Sequence, residues 1–181
     1  MKYKEENLVA SISGSKEAFS NLYEEIYQDL YKMAFYLCGN SSEAEDLVSE
    51  TVLDAYKGIG KLKVVDKFEA WILKILSNKA KRKFRYHYNS FTVANPLAKD
   101  IEEVEMASED FSEKTLTQQE ILETLATIKP IDRLIISLCV IEGRSSREVG
   151  EILSMNASSV RSRLNRSLKR MKNEMEGSRY E

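Results

Sequence analysis

At 181 residues the chain is long enough for one medium domain or two small ones, and too short for a large barrel or a doubly wound enzyme with an added lobe. Hydrophobic residues make up 43% and charged residues 31%, with only 7 Gly and 2 Pro, which predicts a soluble, all-α protein of two small helical domains joined by a linker. The formal charge of −2 hides two acid-free blocks of six cations each, at residues 71–88 and 161–172, within an otherwise acidic chain, a pattern suited to a polyanion touched at two places.

Phe19, Leu22, Tyr23, Ile26, Leu30, Met33, Ala34 and Leu37 recur at helical spacing and predict a helix over residues 15–38, ended by Gly39-Asn40. Ser42 with Glu45 reads as a capping box for a second helix, carrying Leu47, Val48, Val52, Ala55 and Tyr56 inward until Gly58 and Gly60. A loop at 61–65 follows. Asp66 and Glu69 repeat the box pattern before a third helix, whose Phe68, Trp71, Ile72, Ile75 and Leu76 face the core and whose later half turns basic. In KAKRKFRYHY, residues 79–88, cations alternate with Phe84, Tyr86, His87 and Tyr88, a mixture suited to unstacked nucleic acid, although Phe84 can equally extend the core stripe. Glu43, Glu45, Asp46, Glu50 and Asp54 make the second helix repel DNA; a basic protein surface would suit it instead.

Residues 89–114 lose periodicity and carry an acidic run, so a flexible acidic linker is expected there. Thr117 and Glu120 open a helix with Ile121, Leu122, Leu125 and Ile128, broken at Pro130; Ile131, Leu134, Ile135, Leu138, Cys139 and Ile141 form another, ending at Gly143. Ser145 and Glu148 form a further capping box, for a helix of barely two turns with Val149, Ile152 and Leu153 on one side. Asn156 then caps a last helix, with Val160, Leu164, Leu168 and Met171 as its inward stripe. Gly150, Ser154 and Val160 have the spacing of a helix-turn-helix: a small residue where two helices approach, a turn residue, and an apolar residue beneath the turn. Ser154 stands where Gly is usual, at a strain of roughly 1 kcal/mol if its φ is positive. Ser158, Ser162, Asn165 and Lys169 lie opposite the stripe, flanked by Arg161 and Arg166, as a recognition helix requires.

No apolar run reaches the ~18 residues of a membrane span, and the N-terminus has no signal-peptide pattern, so a cytoplasmic protein without membrane insertion is expected. Cys38 and Cys139 lack metal-type neighbours and read as buried thiols. Without a P-loop, a glycine-rich dinucleotide turn, a zinc pattern or a nucleophile beside a base, no catalytic residue, metal or cofactor is expected.

FSNLYEEIYQDLYKMAFYLCGNSSEAEDLVSETVLDAY, KFEAWILKILSNKAKRKFR and SSREVGEILSMNASSVRSRLNRSLKRMK, in that order, resemble the extracytoplasmic-function sigma factors of bacterial RNA polymerase, within the sigma-70 family. The resemblance covers nearly the whole chain apart from the linker. It implies a non-catalytic subunit whose region 2-like domain, residues 1–88, binds core polymerase and the minus-ten promoter element. A linker at 89–114 follows, and a region 4-like domain at 115–181 reads the minus-thirty-five element. By match, core polymerase is held by Asp46, Leu47, Glu50 and Thr51. Minus-ten DNA falls to Lys61, Lys63 and Lys67 in the loop and to Asn78, Lys79, Arg82 and Lys83 on the helix; the match also includes Trp71 there, although its place in the apolar stripe favours packing. Minus-thirty-five DNA falls to Ser158, Ser159, Arg161, Ser162, Arg163, Asn165, Arg166 and Lys169. An anti-sigma factor is a further partner implied by the resemblance. Met155-Asn156-Ala157 and the Ile-Lys-Pro at 128–130 depart from the family's usual turn and double proline. The alternative is a stand-alone helix-turn-helix regulator that binds its operator without polymerase.

Overall fold

The computed structural model describes residues 1–90 and 118–177, with the side chains of 85–90, 118–122 and 175–177 outside the description. The described residues are helical: α1 (Glu5–Ile12), α2 (Lys16–Cys38), α3 (Ser41–Gly58), α4 (Phe68–Ser90), α5 (Gln118–Thr127), α6 (Pro130–Ile136), α7 (Ser146–Leu153) and α8 (Ala157–Gly177). The expected linker lies outside the described residues except at its first two positions, which belong to α4.

The sequence pattern does not predict α1. Eight residues are too few to hold a helix alone; α1 is ordered because Leu8, fully buried, packs against α2. α2 matches its expected span: the Ser15 hydroxyl accepts from the Ala18 N–H, and Gly39 closes it at φ 79°. The cap of α3 is two residues earlier than the expected Ser42 box. Asn40 Oδ1 accepts from the Glu43 N–H at 2.8 Å, because Asn40 leaves Gly39 extended and reaches the first free amides before Ser42 can. Between α3 and α4 the expected loop contains two short 3₁₀ turns, Ile59–Lys61 and Val65–Lys67. The second merges into α4, so the Asp66 and Glu69 box is replaced, and the Glu69 carboxylate pairs elsewhere.

Pro130 occupies the first turn of α6, where its missing N–H costs nothing. α6 continues as a π-helical turn, Ser137–Ile141, before Gly143 ends it at φ 64°. α7 is held at both ends: Ser145 and Glu148 form the expected capping box, and Ser154 adopts the left-handed conformation, φ 57° and ψ 49°. A Cβ at Gly150 would meet the Met155 carbonyl at 2.6 Å, which explains why the turn needs glycine there. α8 runs through the basic block with Val160 fully buried and Leu164 and Met171 half-buried. Leu168, expected inward, is 38% exposed; Ser167 takes its place against the core because a 3.6-residue period rotates Leu168 past the seam.

Leu22, Leu30, Met33 and Leu37 of α2 meet Leu47 and Val48 of α3 and Phe68, Ile72, Leu73 and Leu76 of α4. The same apolar cluster continues into the C-terminal half through Leu134, Ile135, Leu138, Val149, Ile152 and Leu153, so the two helical units are packed together face to face. Leu125, Ile128 and Ile136 form a small second cluster beneath α8. Cys38 is buried, but Cys139, expected to be buried too, lies in the π-helical turn and is only half-buried.

Candidate nucleic-acid interface

The acidic face of α3 and the basic face of α4 are zipped together along part of their length. Lys79 Nζ lies 2.8 Å from Asp54 Oδ2 and 3.4 Å from Glu50 Oε2, leaving its side chain 14% exposed. Lys83 pairs with Glu43 and donates to its carbonyl. The hydrogen bond from Lys79 holds the Asp54 carboxyl below its usual range. Arg82 and Asn78 remain exposed. Of the residues matched to polymerase binding, Asp46 and Glu50 point outward, whereas Leu47 and Thr51 are buried. Thr51 donates to the Leu47 carbonyl at 2.7 Å, so both hold α3 against its neighbours rather than facing a partner. Leu53, 52% exposed, shares the outer face with Glu50 three residues earlier and Asp46 seven earlier; this register is readable in the sequence, but the residue's apolar character suggests core instead.

Half-buried Trp71 divides two hollows. On its α3 side a cleft of about 480 Å³ lies between the end of α3 and α4. It is lined by Lys57, Lys61, Asn78, Lys79 and Arg82, with Asp54 the one carboxylate among the described lining residues. On the other side, a pocket of about 320 Å³ is framed by Leu62, Val64 and Ala70 and rimmed by Lys63, Lys67 and Lys74. Trp71 is therefore both a packing residue and a wall of two cationic hollows, a role invisible in its place on the apolar stripe. Lys61, Lys63 and Lys67 are exposed.

On α8, Ser158, Ser159, Arg161, Ser162, Asn165, Arg166 and Lys169 form one exposed face beginning at the helix N-terminus. Arg163 is set apart from them: its guanidinium binds Asp132 of α6 at 2.7 Å and fastens α8 to its own unit.

The junction between the two units is polar at its edges. Arg144 binds the Glu69 carboxylate and lies 3.6 Å from Glu148. Lys81 Nζ donates to the Leu153 carbonyl at 2.8 Å, placing a cation at the negative end of α7; burial, and secondarily Lys74, lower its pKa. The buried guanidinium of Arg133 sits 5.5 Å from the centroid of the Phe84 ring, its Nε without a hydrogen-bond partner. Glu151 and Ile152 of α7 close the outer wall of the Leu62 and Val64 pocket.

Residues 22–89 match sigma-70 region 2, and residues 118–171 match sigma-70 region 4. The ECF RNA polymerase sigma factor BldN of Streptomyces coelicolor is 27% identical over 150 residues, covering 82% of this chain and 57% of BldN. The ECF RNA polymerase sigma factor SigW of Bacillus subtilis is 26% identical over 171 residues, 90% of this chain and 91% of SigW. Among solved structures, CnrH in complex with the cytosolic domain of CnrY superposes with a TM-score of 0.66 at 18% identity, covering 96% of this chain and 97% of CnrH. The sigma factor RpoE from Bartonella quintana, in complex with the anti-sigma factor NepR, gives 0.65 at 17% identity, with 95% and 96% covered. These two share the fold.

Proposed function

Because this chain belongs to the extracytoplasmic-function sigma factors of the sigma-70 family and directs promoter recognition by RNA polymerase, we propose that its three exposed polar faces divide that task. Asp46 and Glu50, with Leu53 in register beside them, dock on core polymerase through a basic surface with an apolar socket. Lys61, Lys63, Lys67, Asn78 and Arg82 receive the minus-ten element around Trp71, with phosphates on the cations and an unstacked base against the ring. The α8 face from Ser158 to Lys169 enters the major groove at the minus-thirty-five element. The observation carrying this reading is that acidic, single-strand-type and groove-type surfaces all occur on one chain, in the order of region 2 and region 4. The region 2 match removes the need for a stand-alone regulator, since such a protein has no use for residues 22–89.

In this reading residues 1–88 and 115–181 are the two working units and 89–114 joins them through the polymerase. The subunit is non-enzymatic, and bond formation stays with polymerase. Glu151 and Ile152 cover the loop-side pocket, so the packed arrangement is a closed form that parts when promoter DNA is engaged. CnrH and RpoE are each in complex with another protein, the latter an anti-sigma factor, and a dedicated anti-sigma factor holding the closed form fits this chain too. Among the described residues no helix is long and apolar enough to cross a membrane. The place of work follows from the partner: a subunit that directs RNA polymerase acts in the cytoplasm, where the polymerase and its template are.

Run-off transcription with sigma-free core polymerase tests the proposal. Promoter-dependent transcript is expected only when the chain is added. Arg161→Ala with Arg166→Ala should weaken promoter binding by roughly 1–3 kcal/mol for each base edge no longer bound, while leaving the fold intact. Transcription unchanged in that double variant would overturn the α8 assignment.

A further inference from the structure

The cleft between α3 and α4 contains a feature that DNA binding alone does not explain. Four cations, Lys57, Lys61, Lys79 and Arg82, converge on it beside Trp71, yet the most buried of them is not available to a ligand. Lys79 is tied to Asp54 at 2.8 Å, and the carboxylate lies within the cleft lining itself, near Lys57 and Arg82 as well. A carboxylate hydrogen-bonded to an ammonium in a cationic cleft has the charge and the acceptor geometry of a phosphodiester oxygen pair. Its neighbour Glu50 adds a weaker hold on Lys79 at 3.4 Å. Asp54 itself is about half exposed, so an incoming phosphate can displace it without opening the core.

We propose that Asp54 is a specificity-determining residue: an internal stand-in for a backbone phosphate that keeps Lys79 occupied, suppresses indiscriminate binding of single-stranded DNA, and yields its place to a strand correctly seated against Trp71. This rests on the reading of α4 as the minus-ten surface. An exchange of one anion for another at Lys79 changes little in net electrostatics for a well-placed strand. For a badly placed strand it leaves the Asp54 carboxylate in position, repelling the backbone.

The test is fluorescence anisotropy of the full chain with fluorescein-labelled oligothymidylate over a salt series. Asp54→Asn leaves Lys79 only the weaker hold of Glu50, so affinity is expected to rise, by up to about fivefold, the measurable limit of an exposed pair. The slope of log affinity against log salt should steepen by about 0.7, the value of one further single-strand phosphate contact. Asp54→Glu should restore the original affinity, which a general packing role of Asp54 would not do. In a Lys79→Met background Asp54→Asn should give only the small gain of removing one negative charge from the cleft, well below that in the parent chain. An equal gain in that background would reduce the effect to bulk charge and overturn the proposal, as would an unchanged or weakened affinity in the single variant. Promoter opening by holoenzyme carrying Arg82→Ala separates the two levels. If opening is lost there while Asp54→Asn has no effect, only the gating role falls; if opening survives, the minus-ten assignment of α4 falls with it.

Discussion

Ser154 is the one residue other than glycine with positive φ among the described residues, and its place in the turn between α7 and α8 is readable from sequence spacing alone. Left-handed backbone costs an L-residue roughly 1 kcal/mol, so Ser154→Gly should raise the unfolding free energy by about that much, read in a urea titration. Gly150→Ala should do the opposite, since the added methyl meets a backbone carbonyl that cannot swing away. The cysteines differ in a way the sequence does not disclose. Burial pushes the Cys38 thiol up to about 12, with Lys83 partly opposing, while Cys139 is raised by burial but half-buried. Thiolate is the reactive form. In a timed reaction with a disulfide reagent at neutral pH, Cys139 should therefore modify first and Cys38 only on global unfolding; equal rates would contradict the burial of Cys38.

At the level of elements, α7 is the piece that joins the two units. It is two turns long, capped at its start by its own Ser145 and Glu148 and at its end by Lys81 from α4. The first cap is legible in any reading of the sequence, whereas the second joins residues 72 positions apart and depends on docking. Glu142, just before α7, has its carboxyl raised, first by burial, with Asp29 and Glu69 adding and the N-terminal amine and Arg144 opposing. A folded-state pKa above the unfolded one means stability is fully present at the acidic end and is lost as pH rises through the raised value. Thermal melts across the acid-to-neutral range should show that loss in the parent chain and a flatter profile in Glu142→Gln. Identical profiles would show that Glu142 is solvated as in the unfolded chain.

At the scale of the whole molecule, one apolar cluster is shared by the two units across the gap that the linker spans in sequence. Within that junction Arg133 is buried, 8% exposed, with its Nε unsatisfied and burial lowering its pKa, although Cys38 and Glu43 work in the other direction. Among the described residues no carboxylate lies at bonding distance of it, and the Phe84 ring across the junction offsets only part of its desolvation, so the parting of the units, which rehydrates it, is favoured. Arg133→Met should therefore tighten the closed form, raising the melting temperature while lowering transcription from core polymerase. Arg144→Glu, which sets a carboxylate against Glu69, should loosen it, with a larger radius of gyration in solution scattering and no loss of helix content. If Arg133→Met lowers both stability and activity, the guanidinium is a net support of the fold and not a strained element.

How much of this is readable beforehand follows from the range of each interaction. Helix periodicity, the Ser15 and Ser145 caps, the Gly39 and Gly143 stops and the glycine-to-serine turn are set by neighbours within a few residues, so α2, α3, α4 and the helix-turn-helix stand out, as do the two basic faces. α1 does not, because eight residues gain their order from a surface made elsewhere. Which charges are free is equally hidden. Lys79, Lys83 and Arg163 look like equals of Arg82 and Arg161 in a basic block, but each is bound to a carboxylate or carbonyl on another helix. Leu47 and Thr51 both belong to a family motif that is legible in sequence; the burial of Leu47 follows from its place on the inward stripe, whereas that of the polar Thr51 does not.

Sequence alone determined that the chain is helical, that it has two cationic faces on an acidic background, and that its second half holds a helix-turn-helix, since spacing and local caps act along the backbone. Only the tertiary structure decided which cations meet solvent, that Trp71 walls two hollows, and that α7 lies across one of them. Those properties arise where helices distant in the chain approach each other, and there a carboxylate, a carbonyl or solvent competes for each charged group at distances that no spacing rule encodes.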